Sequence, residues 1–314
     1  MKEKVVEFRQ MLQILAMFMI VQFFGLLLAI ITFSGATMHQ VATNEIMNSY
    51  VEVLFYIVYI AIAAAILILI FKYINGRLLF KILEAIFILI SSFFVFYALI
   101  DYAIANNNIA VAISIIAAIA LIFAKNKFKV LRNTAAIIGS VGIGFVLGLT
   151  FTFETAYIFM GILAIYDFIA VFITKHMLSL ARLAEENNLA LMVGVNEIKG
   201  VPEKEANMQI MNEAQKEYKK SNDQIAQIFK SKKLVPILAR LELGNGDLGI
   251  PLMVAIAAYS TTMNFVLSFF VIFGAIIGLI ATMAILKRYK RALPAIPPLF
   301  AGITIFVGLY MLLF

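Results

Sequence analysis

Residues Leu234–Tyr259, LVPILARLELGNGDLGIPLMVAIAAY, decide how many times this chain crosses a membrane. The stretch is long enough for a spanning helix, which needs about 20 residues. Yet it carries Arg240, Glu242, Asp247 and Pro251, has glycines at 244, 246 and 249, and is cleanly apolar only from Leu248 onward. Eight other stretches are plain spans: Leu12–Ile31, Val53–Phe71, Ile82–Ile100, Ile109–Ala124, Thr134–Thr152, Ala156–Ile173, Phe265–Leu286 and Leu293–Phe314. The basic residues decide the ninth. All 25 Lys and Arg fall in the N-terminus (Lys2, Lys4, Arg9), the loops Lys72–Lys81 and Lys125–Arg132, the segment Thr174–Asn245 and the run Lys287–Arg291. The alternate loops, Phe33–Tyr50, Asp101–Asn108, Phe153–Thr155 and Ser260–Asn264, have none, and neither does the C-terminus. Basic residues are held on the cytoplasmic side, and Lys287–Arg291 joins that side only if Leu234–Tyr259 crosses. The expectation is an all-α polytopic membrane protein with nine transmembrane helices, N-terminus cytoplasmic and C-terminus external.

Composition points the same way. Of 314 residues 63% are hydrophobic and 14% charged, where a soluble domain is nearer half apolar and a quarter charged. A mean hydropathy of +1.00 makes lipid the main solvent. The net charge of +7 reads at first as affinity for nucleic acid. Resolved by side it is topological, since every basic residue is cytoplasmic while Glu45, Glu52, Asp101 and Glu154 lie outside. With no Cys there is no thiol nucleophile, disulfide or thiolate metal site. The first span is too long for a signal-peptide core and is read as retained. The chain divides into a six-helix part (1–173), a cytoplasmic loop (174–233) and a three-helix part (234–314). Within the loop, Leu189–Val195 is a candidate strand and Pro202–Lys233 a polar helix candidate.

Two acids sit where lipid should be. Asp167 lies inside the sixth span and Asp247 inside the seventh. An ionised side chain at the bilayer centre costs about 2.5–3.5 kcal/mol even on the gentlest scale, so each needs a reason. Asp167 precedes Lys175 by eight residues and Asp247 follows Arg240 by seven, so both lie about 10–12 Å in from the basic boundary. They approach it on consecutive antiparallel helices, so they can meet. Like charges that meet in low dielectric cannot both ionise, and the pair then holds one proton, as in aspartic proteases. The acids alone leave an enzyme and an ion-coupled transporter equally open. Glu84, three residues past Lys81, is read as an interfacial carboxylate.

The backbone around Asp247 is unusual. Gly244, Gly246 and Gly249 give it freedom, and Pro251 cannot donate to the carbonyl of Asp247. Unsatisfied backbone at membrane depth is tolerated only inside protein or beside water, which predicts a wet, irregular site. The ninth span opens Leu293-Pro294-Ala295-Ile296-Pro297-Pro298. Three prolines in five residues disfavour regular helix and predict an extended segment able to pair with another extended chain.

Tyr166-Asp167 in the sixth span, Gly244-Asn245-Gly246-Asp247 in the seventh and Pro294-Ala295-Ile296 in the ninth stand in order along the chain. This resembles the presenilin and signal-peptide-peptidase family of intramembrane aspartyl proteases, with its YD, GxGD and PAL motifs. The run Tyr166–Met177, ending Thr-Lys-His-Met, is most similar to the compact archaeal presenilin homologues. The resemblance implies hydrolysis of peptide bonds within transmembrane segments, with transmembrane proteins or peptides as substrates and no metal or cofactor. The protein then acts in the lipid bilayer, the cell membrane if the source is archaeal, and not on nucleic acid. It implies that Asp167 and Asp247 are the catalytic pair and that Tyr166 is the neighbour of the first. Gly244 and Gly246 then shape the second site, and Pro294, Ala295 and Ile296 position substrate. Ile296 stands where the family has Leu, and Asn245 replaces the Leu common in presenilins. The orientation read from the basic loops is the presenilin sense, opposite to signal peptide peptidase.

Other chemistries fit less well. There is no His-Glu-x-x-His for zinc, and His39 and His176 lie on opposite sides of the membrane, which also removes a Ser–His dyad. Prepilin-type peptidases share GxGD but not the other two motifs. The pairs Gly144/Gly148 and Gly274/Gly278 are spaced for close helix packing. The alternative from another class is a secondary transporter coupling H⁺ or Na⁺ through the same two acids, although no inverted repeat is visible. A scaffold role ranks third.

Overall fold

A computed structural model describes residues 2–34, 76–104, 106–128, 130–173, 192–202, 234–289 and 294–314. The span expected at Val53–Phe71, most of the polar helix candidate Pro202–Lys233, and His39 and His176 lie outside them. The elements in order are α1 (Lys2–Ser34), α2 (Gly76–Ile104), α3 (Asn107–Lys127), α4 (Leu131–Thr150), α5 (Phe153–Phe172), β1 (Met192–Pro202), β2 (Leu234–Gly244), α6 (Asn245–Thr262), α7 (Phe265–Tyr289) and α8 (Ile296–Leu313). Seven of the described helices, all but α6, are long and apolar enough to cross a membrane, and the protein is a multi-pass integral membrane protein.

Helix ends follow local chemistry. Asn106 caps α3 by accepting from the Ile109 N–H, and Thr152 caps α5 by accepting from the Thr155 N–H. Glu154 occupies the first turn of α5, and Lys125 and Lys127 the last turn of α3, both favourable to the helix dipole. Met263, in the left-handed region at φ 52°, ends α6.

The chain forms two compact units. One comprises residues 1–16 and 194–243, the other residues 17–193 and 244–314. In the first, β1 pairs with β2, and Gln10 Nε2 donates to the Val195 carbonyl at 3.5 Å. The ribbon departs from the all-α expectation. Residues 234–244, expected as the opening of the seventh span, are a strand, because Leu241 and Leu243 alternate with Arg240 and Glu242 at the two-residue period of a sheet. β1 overlaps the candidate strand Leu189–Val195 from Met192 and runs on to Pro202.

The second unit is built around α6. Every residue from Pro251 to Ser260 is buried, with α4, α7 and α5 packed against the helix. Glycines set the spacing. A Cβ on Gly144 would lie 2.7 Å from the Gly249 carbonyl oxygen, and one on Gly148 2.6 Å from Ile256 Cβ. Between α7 and α8, a Cβ on Gly274 would lie 2.7 Å from the Gly302 oxygen, and one on Gly278 2.6 Å from Leu299 Cα. Both glycine pairs thus serve the close packing expected of them. Glu84, expected as an interfacial carboxylate, is 4% exposed and ion-paired with the buried Lys125, linking α2 to α3.

The contacts also fix helix directions. Gln22, Gly25 and Phe33 of α1 meet Leu248, Leu252 and Tyr259 of α6 in ascending order, so these two run parallel. Gly144 and Gly148 of α4 meet Leu252 and Ile256 in the same sense, and Phe87 and Ser91 of α2 meet Gly139 and Gly142 likewise. α5 runs opposite to α8, with Tyr157 bonded to Thr304 and a Cβ on Gly161 reaching the Phe300 ring.

Candidate active site

The site begins where β2 becomes α6. Gly244 is the N-cap of α6, extended at φ −66° and ψ 149°, and Asp247 is the third helical residue. Its carboxylate accepts a hydrogen bond from the Gly244 backbone N–H. That is the acid half of a capping box, in which a side chain at the third position satisfies the donor at the cap. The Gly-x-Gly-Asp spacing therefore has a local reason: cap and acid must be three residues apart. Gly244 is tight against this carboxylate, since a Cβ there would lie 3.3 Å from Asp247 Oδ2. Gly246 is open, and a Cβ would meet only Ile250 Cδ1 at 3.8 Å. Gly249 is packed into α4, 2.8 Å from Ile143 Cγ2 and 3.0 Å from the Ser140 carbonyl oxygen when given a Cβ.

The irregular backbone expected around Asp247 is absent. No described glycine has positive φ, and α6 is helical from Asn245 through Pro251 to Thr262. Gly244 and Gly249 serve close approach rather than unusual dihedrals, and the change of conformation falls at the strand's end, at Gly244.

Asp167 is 4% exposed on α5. Its Oδ2 accepts the Ile296 N–H at 3.3 Å, and the Ala295 N–H also donates to the carboxylate. Pro294 and Ala295 are buried, and Ile296, Pro297 and Pro298 form the first turn of α8. The extended segment expected here is not found among the described residues: Ala295 has helical backbone angles (φ −89°, ψ −32°) and α8 begins at Ile296. Proline in a first turn loses only an N–H that has no helical partner, and the helix start aims its remaining donors at Asp167.

The two acids come together. Phe153 N–H of α5 donates to Thr261 Oγ1 at the end of α6, at 3.0 Å. From that contact the antiparallel helices reach Asp167 and Asp247 after the same number of residues. The two carboxylates interact electrostatically. Asp167, Asp247, Gly244, Ala295 and Ile296 therefore form one cluster. Tyr166 is about half exposed, and Gly246 is exposed.

A family model described as signal-peptide peptidase and presenilin aspartyl protease matches residues 15–313. The chain belongs to that family. Two solved structures of a presenilin family intramembrane aspartate protease are similar to it. One, in space group C222, is 16% identical, covers 95% of each chain and has a TM-score of 0.59. The other, in P2, is 15% identical, covers 96% of this chain and 98% of its own, and has a TM-score of 0.61. At such identity the likeness concerns the fold. No curated protein matches the chain. The protein is an intramembrane aspartyl protease of presenilin type, and the transporter alternative is not favoured.

One polar residue at the cluster carries no motif. Gln22 of α1 is fully buried, and its Nε2 donates to the Leu248 carbonyl at 2.9 Å. A single Gln inside an apolar span gives no signal until the fold shows what it touches.

Proposed function

We propose that Asp167 and Asp247 hydrolyse peptide bonds within transmembrane segments by general acid and base activation of one water. The observation that carries this reading is the cluster itself: two membrane-embedded carboxylates from antiparallel helices, one held by a helix-start backbone and one by its own cap. The ionised partner takes a proton from water as the water oxygen bonds to the scissile carbonyl carbon. The protonated partner donates to the carbonyl oxygen. Collapse of the tetrahedral intermediate breaks the C–N bond, with a proton passing to the leaving nitrogen. No covalent enzyme intermediate forms. In this reading Pro294, Ala295 and Ile296 orient Asp167, Gly244 and Gly246 shape the approach to Asp247, and Tyr166 flanks the first acid.

A substrate helix hides its carbonyls in internal hydrogen bonds, so it must unwind first. β2 ends at Gly244, three residues before Asp247. An extended substrate segment could pair with a strand edge such as that of the β1–β2 ribbon, in place of the longer pairing segment first expected at Pro294–Pro298.

The nine-span reading belongs to the same proposal, with a cytoplasmic N-terminus, an external C-terminus and, for an archaeal source, residence in the cell membrane. It is supported by the shared direction of α1 and α2, both parallel to the α4–α6 pair. It is supported too by α6, whose 18 residues extend about 27 Å.

The deciding experiment incubates purified protein with a labelled single-span peptide. Asp167→Ala and Asp247→Ala are each expected to fold and to lose cleavage entirely. Turnover by either variant, with contaminating protease excluded, would remove that residue from the chemistry.

A further inference from the structure

We infer that Gln22 is a positioning residue, holding the first turn of α6 so that Asp247 faces its partner acid. The inference rests on the catalytic reading above. Four observations lead to it. Gln22 is 0% exposed in the middle of α1, and its Nε2 reaches across 226 positions of sequence to the Leu248 carbonyl. Leu248 directly follows Asp247. The carbonyl of Asp247 itself has lost its helical donor, because the residue four further on is Pro251. The turn bearing the acid is therefore short of one ladder bond, and a donor from another helix is applied one residue along.

Packing makes this a clamp. A Cβ on Gly25, one turn along α1 from Gln22, would run into the Leu252 side chain, so α1 lies flush against α6 at this level. Gly249 presses against Ser140 and Ile143 of α4. The turn from Asp247 to Leu252 is thus bonded on the α1 side and packed tightly on the α4 side.

Stability does not account for the residue. Gln22 Oε1 is buried with no hydrogen-bond partner among the described residues. A buried amide satisfied at one end only is costly, and an apolar side chain of the same size would avoid that cost. The amide is retained for the bond it makes. Catalytic geometry gives the bond its value, because small misplacements of reacting groups are expensive in rate.

The test compares wild type, Gln22→Met and Gln22→Glu on a labelled single-span peptide, with amide hydrogen exchange of residues 245–252 measured in each. Met matches the volume and has no donor, whereas Glu retains one when protonated. Gln22→Met is expected to lose about tenfold in kcat with KM within about twofold, and to exchange faster in the Asp247 turn. Gln22→Glu is expected to stay within about threefold of wild type in kcat, with exchange near wild type. Unchanged kcat and exchange in Gln22→Met would overturn the inference, and so would equal losses in both variants, which would mark a packing role. If wild type and Asp247→Ala are alike inactive, the catalytic reading fails instead, and the exchange comparison alone then decides whether Gln22 holds the turn.

Discussion

At residue 244 two demands meet. The backbone N–H must cap α6 through the Asp247 carboxylate, and the Cα must leave that carboxylate room. Gly satisfies both, because as an N-cap it costs only a few tenths of a kcal/mol relative to the best polar caps. The motif therefore predicts unequal glycines. In Gly244→Ala the new methyl would lie 3.3 Å from Asp247 Oδ2, and the acid must shift by a few tenths of an ångström. Peptide cleavage by this variant is expected to fall about tenfold in kcat, with little change in thermal stability. In Gly246→Ala the methyl would meet Ile250 at an ordinary 3.8 Å, and kcat is expected within about threefold of wild type. Equal losses at both positions, measured on the same peptide, would contradict this account. The motif's glycines are plain in the sequence, but their reason is not. Backbone freedom was the natural inference from three glycines and a proline, whereas the structure uses Gly244 and Gly249 for proximity.

Among the elements, α6 best shows why part of the fold was legible and part was not. A helix that faces lipid must be apolar, and the other spans announce themselves that way. α6 is enclosed by α1, α4, α5 and α7, so it can carry Asn245, Asp247 and three glycine or proline interruptions without facing lipid. The same enclosure makes its seam with α4 sensitive. Gly249→Val is expected to lower stability by about 1–3 kcal/mol, read as a fall in thermal midpoint, because the added carbons collide with Ile143 and the Ser140 carbonyl. Gly308→Ala on α8, where nothing lies within 4 Å of a new Cβ, is the matched control and should leave the midpoint unchanged or slightly raised. Glu84 was read only from its proximity to Lys81, which hid a partner, Lys125, one helix away. Removing one member of a buried ion pair strands the other. Glu84→Gln is expected to cost about 3–5 kcal/mol in unfolding experiments, and Glu84→Leu with Lys125→Leu considerably less. A double variant no more stable than the single would contradict this account, because the loss would then not come from a stranded Lys125.

For the molecule as a whole, charge and contact give independent accounts of the path through the bilayer. The basic loops assign alternate connections to the cytoplasm using only the positions of Lys and Arg. The helix contacts assign directions using only packing: α1, α2, α4 and α6 run one way, and α5 runs opposite to α8. The two accounts agree at every described helix they share. Both also leave α1 and α2 parallel. The membrane-spanning helices were legible because lipid-facing spans must be apolar, whereas the ribbon β1–β2 obeys no such rule and was foreseen only in part, at the candidate strand Leu189–Val195. A site-specific labelling series tests the path. Single cysteines, in a chain that has none, placed at the N-terminus, in the Lys125–Arg132 loop and in the 203–233 segment should react with an impermeant thiol reagent only after the cytoplasmic face is opened. Cysteines in the 35–50 segment and at the C-terminus should react from outside in intact cells. If the two termini label from the same side, the number of crossings is even, and the odd-span reading fails. The pairing of Asp167 with Asp247, which rests on the contact between α5 and α6, would stand in either case.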